Sequence, residues 1–427
     1  MISDYINIKR VFKRKINNRL NNQINEVIRL EMDMKTLSKE LNKKGEKQMK
    51  KIGILTNGGD APGLNTVIRA IVKTAEENGI EAYGFLDGFK GLLENKYIKL
   101  DSLGNAKHLL YTGGTFIGTS NATNVFNLRV MDKNGNVEYK DMSWLCVENL
   151  KKEDFDCVFI LGGDGSLKSA RDFSTLGVNF IGIPKTIDND VAHTDRCFGF
   201  STAVQTATNA MDQLRTTAES HERIMVLEVM GRYAGWIALE TAIAGGADAV
   251  LLPEKEYDLQ KVADKIIENK KKGKKFSLVV VSEGAKEKGK DLIIKRKVDV
   301  GKGLDNIKLG GAGDYVASRL EELTKIESRN TTLGYVQRGG TPIAEDRILS
   351  TMYGVEAMNL ALKGIFNVLV VMKDNKLSYV TLEDVVGENK EIGAASGNTK
   401  ESNIRTVPMD HPLIETAKSI GICIRIV

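Results

Sequence analysis

The sequence has few cysteines, few prolines and no long apolar run. Its four cysteines, Cys146, Cys157, Cys197 and Cys423, are far apart and form no CxxC pair. This spacing argues against a zinc site or a disulfide framework and fits a reducing compartment. No stretch approaches the roughly 18 apolar residues of a membrane span, and no secretory apolar segment follows Met1. We therefore expect a cytoplasmic protein with no membrane partner.

Positive charge is unevenly distributed along the chain. The 427 residues have a formal net charge of +5, but residues 1–50 hold 13 Lys/Arg against 6 Asp/Glu and carry +7. The remaining 48 basic and 50 acidic residues leave the main body at −2. That body lacks the excess of basic residues typical of a nucleic-acid binder, so no nucleic-acid partner is expected.

The basic residues belong to a segment that predicts a helical extension over residues 1–49. Residues 1–48 contain no proline, and their only glycine is Gly45. Apolar residues recur at helical spacing at Val11, Phe12, Ile16, Leu20, Ile24, Val27 and Ile28. Three interpretations stay open: a basic amphipathic helix for a membrane surface or partner, a peripheral helix covering the main body or a subunit interface, or a dispensable segment before a natural start at Met49.

From Lys51 onward, strand, glycine turn and helix alternate. Short apolar, β-branched runs bounded by glycine or proline are IGILTNGGD, FDCVFILGGDG, VNFIGIP, RIMVLEVMG, ADAVLLPE and FSLVVVSEG. Helical stretches between them are NTVIRAIVKTAEENG, SLKSARDFSTLG, GWIALETAIAGG, LQKVADKIIENKKKG and GDYVASRLEELTK. This alternation predicts an α/β fold with parallel sheets, whose ligands bind at the carboxyl ends of the strands.

Two glycine turns follow two of these strands. The turns are GGDAPG at 58–63 and GGDGS at 162–166. Glycine lets backbone N–H groups approach phosphate oxygens, and the following helix directs its amino terminus at the anion. The first turn alone is equally consistent with a plain strand-to-helix connection. In the second, Asp164 is placed to ligate a Mg²⁺ that bridges a polyphosphate, the alternative being an Asx turn at a helix start.

The segment PKTIDND at 184–190 carries the strongest chemical signal. Asp188 and Asp190 are two residues apart at a strand end, so one can act as general base while the other supports a metal. A hydroxyl that attacks a terminal phosphorus needs such a base. Lys185 and Thr186 stand beside them, which favours a catalytic segment over a merely polar loop.

Four arginines at or near strand ends suggest an anionic substrate. They are Arg223, Arg232, Arg329 and Arg338. A guanidinium group is suited to bind phosphate monoesters and to stabilise transition-state charge. Any one of these four arginines taken alone is more often structural.

Six motifs together resemble the phosphofructokinase family, in the family's order. They are GGDAPGLN, GGTFIGTSN, ILGGDGSLKSA, PKTIDND, HERIMVLEVMGRYAGWIALETAIAGGAD and LGYVQRGGTPIAEDR. The resemblance runs from about Lys50 to the C-terminus. It implies two similar Rossmann-like three-layer lobes with mainly parallel sheets and the active site between them. A phosphoryl-donor lobe would comprise 50–199 with 338–391, and a fructose 6-phosphate lobe 200–337 with 392–427.

The resemblance also implies an activity: Mg²⁺-dependent transfer of a phosphoryl group to the 1-hydroxyl of fructose 6-phosphate, a step of glycolysis. Asp188 would be the general base, with Asp164 at the Mg²⁺ and Asp190 supporting it. The path of the phosphoryl group would be lined by Gly59, Gly165, Ser166 and Thr186, with Arg232 stabilising its charge. The sugar phosphate would be held by Met230, Gly231, Glu283, Tyr335 and Arg338. Arg223 and Arg329 resemble arginines offered across a subunit interface, which implies a dimer or tetramer.

Two positions bear on the phosphoryl donor. Pyrophosphate users of the family typically read GGDD with PKTIDND, whereas many ATP users read GGDG with PGTIDND; this chain combines Gly165 with Lys185. An aspartate at 165 would crowd and repel a nucleotide α-phosphate, whereas glycine leaves space. We therefore expect ATP, with pyrophosphate as the alternative.

Two further features of the resemblance concern activity and regulation. Asn121 occupies a position where the family usually carries an arginine on the donor phosphates, so a low-activity regulatory subunit that binds sugar phosphate or nucleotide stays open. The basic positions that bind effector phosphates in bacterial relatives, together with a metal-binding acid, match Arg69, Lys73, Arg215, Lys272, Lys274 and Asp248. Exposed helix charges near a subunit interface are the equal alternative for these residues.

Overall fold

The computed structural model describes residues 49–120, 123–131, 135–297, 307–386 and 404–424. The basic helical extension predicted over residues 1–49 lies outside the described residues, except for Met49. Its three interpretations therefore stay predictions. The main body begins with the first strand at Lys51.

The first lobe is built on a seven-stranded sheet in the order β15-β14-β7-β6-β1-β2-β3. Five central strands run parallel, and β3 and β15 close the two edges in antiparallel pairs. The strands are β1 (Lys51–Thr56), β2 (Glu81–Phe85), β3 (Tyr97–Leu100), β6 (Cys157–Gly162), β7 (Phe180–Pro184), β14 (Val368–Lys373) and β15 (Lys376–Thr381). The central strands β1, β6 and β7 are buried over nearly their whole length, as expected for parallel strands covered on both faces.

Helices cover both faces of this sheet. On one face, α1 (Leu64–Glu77) packs against α9 (Ala344–Leu362). On the other face lie α2 (Phe89–Leu93), α3 (Ser143–Lys152), α4 (Asp164–Thr175) and α10 (Leu382–Val386). Their apolar side chains join those of the strands in one core, in which Phe173 stacks on Phe89 and Phe180. The lobe therefore has three layers.

The second lobe is built on a four-stranded, fully parallel sheet in the order β13-β8-β10-β9. Its strands are β8 (Ile224–Val229), β9 (Ala249–Leu251), β10 (Ser277–Ser282) and β13 (Ser328–Thr332). One face is covered by α5 (Phe200–His221), α6 (Trp236–Ala244) and α11 (Pro412–Ser419). The other face is covered by α7 (Leu259–Lys271) and α8 (Ala312–Thr324). Alternate strand residues enter the two cores, as the pleat requires.

Two small antiparallel hairpins complete the described structure. They are β4 (Leu128–Met131) with β5 (Val137–Lys140) and β11 (Ile294–Lys297) with β12 (Ile307–Leu309). Within the described part of the chain, no helix is long and apolar enough to cross a membrane.

The predicted α/β fold is confirmed, with two three-layer lobes and mainly parallel sheets. Within the described residues, the strands and helices expected from the sequence pattern form, and helix ends differ from the expected ones by at most two residues. The lobe boundaries stay a prediction, although α11 packs through Ile414 and Ala417 into the core of the four-stranded sheet.

A buried carboxylate joins helices α5 and α9. Asp346, in the first turn of α9, accepts hydrogen bonds from the backbone N–H of Gly199 (3.0 Å) and from the backbone N–H and hydroxyl of Thr202 (2.7 and 2.6 Å). The start of α5 offers no cap from its own N-cap residue, Gly199. Asp346 therefore caps α5 from another helix and fixes the chain that returns from the 184–199 loop.

Asp346→Ala removes all three acceptors and leaves buried N–H donors without partners. We expect the folded state to lose about 2–4 kcal/mol of stability, seen as a lower urea midpoint. Glu345→Ala is the matched control, because Glu345 is half-exposed and pairs only with Arg196 in a surface ion pair, so about 0.5 kcal/mol or less is expected. Equal losses for the two variants would contradict the capping role.

Candidate active site

The carboxyl ends of strands from both sheets supply the predicted site residues. The turns after β1 and β6 are the two glycine turns, and the PKTIDND segment follows β7. From the second sheet, Gly231 and Arg232 follow β8 and Glu283 follows β10. Parallel strands place their carboxyl ends at one edge, which is where ligands bind in such sheets.

The first glycine turn is held open by bonds to the segment 119–120. Gly58 has a left-handed backbone (φ 84°), its N–H donates to the carbonyl of Ser120 (3.1 Å), and its carbonyl accepts from the hydroxyl of Thr119 (2.7 Å). The amide of Asn57 donates to Ser166 Oγ (3.1 Å) and so links the two glycine turns. The expected phosphate-binding residues of the two turns are thus neighbours.

Two cations lie against the first turn. Lys185 Nζ donates to the carbonyl of Gly59 (2.5 Å), and Arg338 Nη1 donates to the carbonyl of Asp60 (3.2 Å). A Cβ on Gly59 would stand 2.6 Å from Arg338 Nη1. A side chain at 59 would therefore displace the guanidinium of Arg338 from its place against the first turn.

The second glycine turn leads directly into α4. Gly163 is the residue before the helix, and the N–H of Ser166 donates to its carbonyl (3.0 Å). No atom of the described residues lies within 4 Å of the place where a Cβ on Gly165 would stand. The helix start therefore faces open space on the side of Gly165.

Lys185 is unusual because it is a buried amine. Its side chain is 4% exposed, and burial together with the neighbouring Arg338 lowers its pKa from the ordinary 10.5 to about 8. Asp188 and Asp190 oppose this shift but do not cancel it. A cation kept in such a place is costly unless it meets an anion.

Asp188 is buried beside Lys185, and one of its carboxylate oxygens is unpaired among the described residues. Its exposure is 4%, and Oδ1 has no hydrogen-bond partner among the described residues. Its backbone N–H donates to the hydroxyl of Thr186 (3.0 Å), which fixes the turn. A buried carboxylate oxygen without a partner can accept a proton or a hydrogen bond from a ligand.

Three more acidic groups surround Asp188. Burial and the charge of Asp188 raise the pKa of Asp190 to about 7, and the same two causes raise that of Glu283 to about 7. Burial also raises the pKa of Asp164. The effect on Glu283 comes across the two lobes, so their sheets contribute to a single acidic site.

The turn after β8 is strained and tightly packed. Gly231 and Arg232 both have left-handed backbones (φ 134° and 49°). The backbone N–H of Arg232 donates to Glu283 Oε1 (3.4 Å). The side-chain Nη2 of Arg232 donates to the carbonyl of Ile307 (3.1 Å). A Cβ on Gly284 would overlap the carbonyl of Arg232. Left-handed backbone at a residue other than glycine is typical of functional turns.

The 3-10 helix Gly334–Gln337 supplies one residue that sequence reasoning missed. Gln337 is fully buried, and its Oε1 accepts from the N–H of Met230 (2.8 Å). The expected substrate residue Tyr335 stands outward and is 72% exposed. Gln337 could have been chosen from its place beside Arg338 in the motif LGYVQRGG, but nothing in that motif distinguishes a side chain that holds backbone from one that holds ligand.

Two expected site residues lie elsewhere. Arg223 stands just before β8 and Arg329 is the second residue of β13, so both are at the amino end of the second sheet. Each pairs with Glu327, Arg223 through Nε at 2.7 Å. A six-residue strand is about 20 Å long, so these arginines are not part of their own chain's site. Asn121 lies outside the described residues.

The expected effector residues are divided between the lobes. Arg69 and Lys73 lie on α1 of the first lobe. In the second lobe, Arg215 donates to the carbonyl of Gly245, and Lys274 pairs with the buried carboxylate of Asp248. Lys272 pairs with Glu268 on the surface (2.5 Å). The effector site stays a prediction.

The arrangement can bind an anion and move a proton. Two glycine turns and the cations Lys185, Arg232 and Arg338 face the acidic group of Asp164, Asp188, Asp190 and Glu283. Donors for phosphate oxygens therefore stand next to a carboxylate that can take a proton from a hydroxyl.

Comparison with known proteins gives the family. The family model described as phosphofructokinase matches residues 51–361. The chain is 50% identical over 376 residues to a Clostridium perfringens protein named ATP-dependent 6-phosphofructokinase 2, covering 88% of this chain and 98% of that protein. It is 43% identical over 337 residues to the ATP-dependent 6-phosphofructokinase of Chloroflexus aurantiacus, covering 79% and 91%.

Solved structures agree in fold. Phosphofructokinase of Pichia pastoris in the T-state superposes with a TM-score of 0.67 at 29% identity, and the match covers 80% of this chain but only 36% of that longer chain. A pyrophosphate-dependent phosphofructokinase of Marinobacter aquaeolei gives a TM-score of 0.66 at 21% identity, covering 84% and 86%. At that identity the second match shows the fold alone.

Lys185→Met tests whether the buried amine opposes folding. Because the pKa of Lys185 is lower in the folded chain, its charge destabilises the fold below pH 8, and the penalty fades as pH rises from about 8 towards 10.5. We expect the ligand-free Met variant to be as stable as wild type or more stable at pH 7, by up to about 3 kcal/mol. The difference should shrink by pH 10, measured by urea denaturation at both values. A Met variant that is less stable at pH 7 would contradict this account.

Proposed function

This chain belongs to the phosphofructokinase family, and we propose that it transfers the terminal phosphoryl group of ATP to the 1-hydroxyl of fructose 6-phosphate, giving fructose 1,6-bisphosphate and ADP. The observation that carries the proposal is the vacant, buried Oδ1 of Asp188 between the glycine turns and Glu283. The names of the relatives at 40–50% identity support the same reaction.

Asp188 is the general base of this proposal. As the sugar 1-oxygen forms its bond to the γ-phosphorus, the bond from that phosphorus to the leaving ADP oxygen breaks, and the 1-hydroxyl proton passes to Asp188. The hydrogen bond from the backbone N–H of Asp188 to the Thr186 hydroxyl fixes the backbone that carries this carboxylate. General base catalysis of this kind contributes about 10²–10⁴-fold to the rate.

The phosphates of the donor bind at the two glycine turns. Backbone N–H groups at Gly59 and Gly165 and the hydroxyl of Ser166 are the donors on this side, and Lys185 supplies the buried positive charge. Arg232 approaches from the other lobe and stabilises the charge that spreads over the transferred group. An anion in this place would offset the burial that depresses the pKa of Lys185.

The acidic residues fit a Mg²⁺ ion that is shared with the donor. Burial raises the pKa of Asp164, and burial together with the charge of Asp188 raises the pKa of Asp190, so a cation would stabilise both ionised carboxylates. The described residues contain no group of three His, Cys, Asp or Glu that could hold a metal by themselves. This fits Mg²⁺, which is usually held by one or two carboxylates and by substrate phosphates. When bound, the ion neutralises charge on the transferred phosphoryl group.

The sugar phosphate lies on the second lobe. Met230, Gly231 and Glu283 line the carboxyl ends of β8 and β10, and Arg338 stands at the junction with the first turn. The exposed Tyr335 can turn onto the ligand. Arg223 and Arg329 lie too far from their own chain's site, and this supports a dimer or tetramer in which they reach a neighbouring subunit's sugar phosphate. We place the protein in the cytoplasm, where glycolysis runs.

Asp188→Asn tests the base. We expect kcat to fall about 10²–10⁴-fold with the fold and the affinity for fructose 6-phosphate largely kept. The control is Asp195→Asn, an aspartate near the segment whose carboxylate accepts the backbone N–H of Asp374 (2.8 Å). Near-normal turnover of Asp188→Asn would show that another group takes the proton.

Gly165→Asp tests the donor. The pure protein with Mg²⁺ should form fructose 1,6-bisphosphate from ATP and not from an equal concentration of pyrophosphate. The new carboxylate would fill the open space beside α4, and repulsion from the nucleotide should lower kcat/KM for ATP by about 10²-fold. Activity with pyrophosphate alone in the wild type would favour the alternative donor. Activity with neither donor would favour the low-activity regulatory subunit.

A further inference from the structure

The catalytic segment is held by a residue far along the chain. Arg405 lies in the short stretch 404–408, between the described end of α10 and the start of α11. Its backbone N–H donates to the carbonyl of Asp190 (2.7 Å), and its Nη1 donates to the carbonyl of Asn189 (3.1 Å). One arginine therefore binds two successive carbonyls directly after Asp188.

The backbone at Asn189 explains why such support matters. Asn189 has a left-handed conformation (φ 55°), and its turn sets the directions of the carboxylates on either side. Its own side chain accepts from the N–H of Cys197 (2.9 Å). Left-handed backbone at a residue other than glycine costs about 1 kcal/mol or more. The turn is thus held by Cys197 on one side and by Arg405 on the other.

Arg405 is itself fixed to the second lobe. Its guanidinium lies 4.0 Å from the ring centroid of Trp236, and the indole N–H of Trp236 donates to the carbonyl of Arg405 (3.1 Å). Trp236 is the first residue of α6, four residues after Arg232. A stacked guanidinium with a bonded backbone has little freedom, so it is a rigid support.

A partly buried carboxylate completes the connection. Glu254 Oε1 accepts from the N–H of Val407 (2.8 Å) and from the N–H of Gly235 (2.7 Å). The stretch 404–408 is therefore bonded at one end to the turn of Asp188 and at the other to the chain that carries Arg232. These two turns come from different sheets.

We propose that Arg405 is a positioning residue for phosphoryl transfer, which fixes the Asn189 turn so that Asp188 keeps its direction relative to Arg232. The proposal rests on the proposed function, because it gives Asp188 and Arg232 their roles. Arg405 touches no substrate in this scheme; it acts through the two carbonyls and through Trp236.

The experiment compares Arg405→Ala, Asp188→Asn and the double variant in the full-length protein. A displacement of about 1 Å at a reacting group can cost about 10²-fold in rate. We therefore expect Arg405→Ala to lower kcat about 30–100-fold, with the KM values for ATP and fructose 6-phosphate changed less than about threefold. In the Asp188→Asn background the same substitution should cost less than about threefold, because the group it positions is already lost.

Two further variants keep the test decisive. Arg171→Ala is the matched control: this arginine of α4 is also largely buried but pairs with Asp172 and Glu383 away from the catalytic segment, and its kcat should stay near wild type. Arg405→Lys keeps the charge and the backbone bond but loses the planar stack and the Nη1 bond. We expect it to lower kcat about 10-fold, and it decides the question if the alanine variant does not fold.

The outcomes separate the two proposals. Unchanged kcat in Arg405→Lys and Arg405→Ala would overturn the positioning role, and so would an equal loss from Arg405→Ala in the wild-type and Asp188→Asn backgrounds. A loss of thermal stability with normal kcat per folded protein would likewise overturn it, because that pattern marks a purely structural residue. No turnover by the wild-type protein with either ATP or pyrophosphate would instead overturn the proposed function, and near-normal turnover of Asp188→Asn would overturn the role of Asp188 as the base.

Discussion

The site depends on the burial of like charges where two sheets end. Asp188 is buried, whereas Asp164, Asp190 and Glu283 are partly buried. Desolvation together with the charge of Asp188 raises the pKa values of Asp190 and Glu283 to about 7. Taking such charges out of water costs several kcal/mol each unless they are paired. The surrounding turns hold these groups in place before a charged ligand binds.

Two adjacent residues, Gln337 and Arg338, each bond to the backbone of a different lobe. Gln337 accepts from the backbone of Met230 in the second lobe, and Arg338 donates to the backbone of Asp60 in the first. The stretch 404–408 makes a second link of the same kind, between Asp190 and Glu254. Each link ends on main-chain groups rather than on catalytic side chains. The backbone around the catalytic side chains is thereby fixed.

The sequence could predict the fold and the catalytic segment because both follow from local patterns. Buried parallel strands such as β1, β6 and β7 need continuous apolar runs, and glycine turns follow them directly. The supports could not be predicted in the same way. Gln337 and Arg405 act through backbone carbonyls and amides of residues more than 100 positions away, and no spacing rule links such partners. The placement of Arg329 at the amino end of its sheet also needed the structure, because β13 is not among the strands that the apolar runs predict.

The position of Lys185 removes the apparent conflict between the two donor signals. Its amine bonds to the carbonyl of Gly59 and would stand 3.4 Å from a Cβ on Gly58, so it serves the first glycine turn. Gly165 lies at the start of α4, beside open space. A buried cation at the first turn suits a phosphate group that ATP and pyrophosphate have in common. The open space at Gly165 is needed only by the additional groups of a nucleotide, which pyrophosphate lacks. In the proposed function the two residues therefore act on different parts of the donor, and a lysine at 185 is compatible with ATP as long as 165 stays without a side chain.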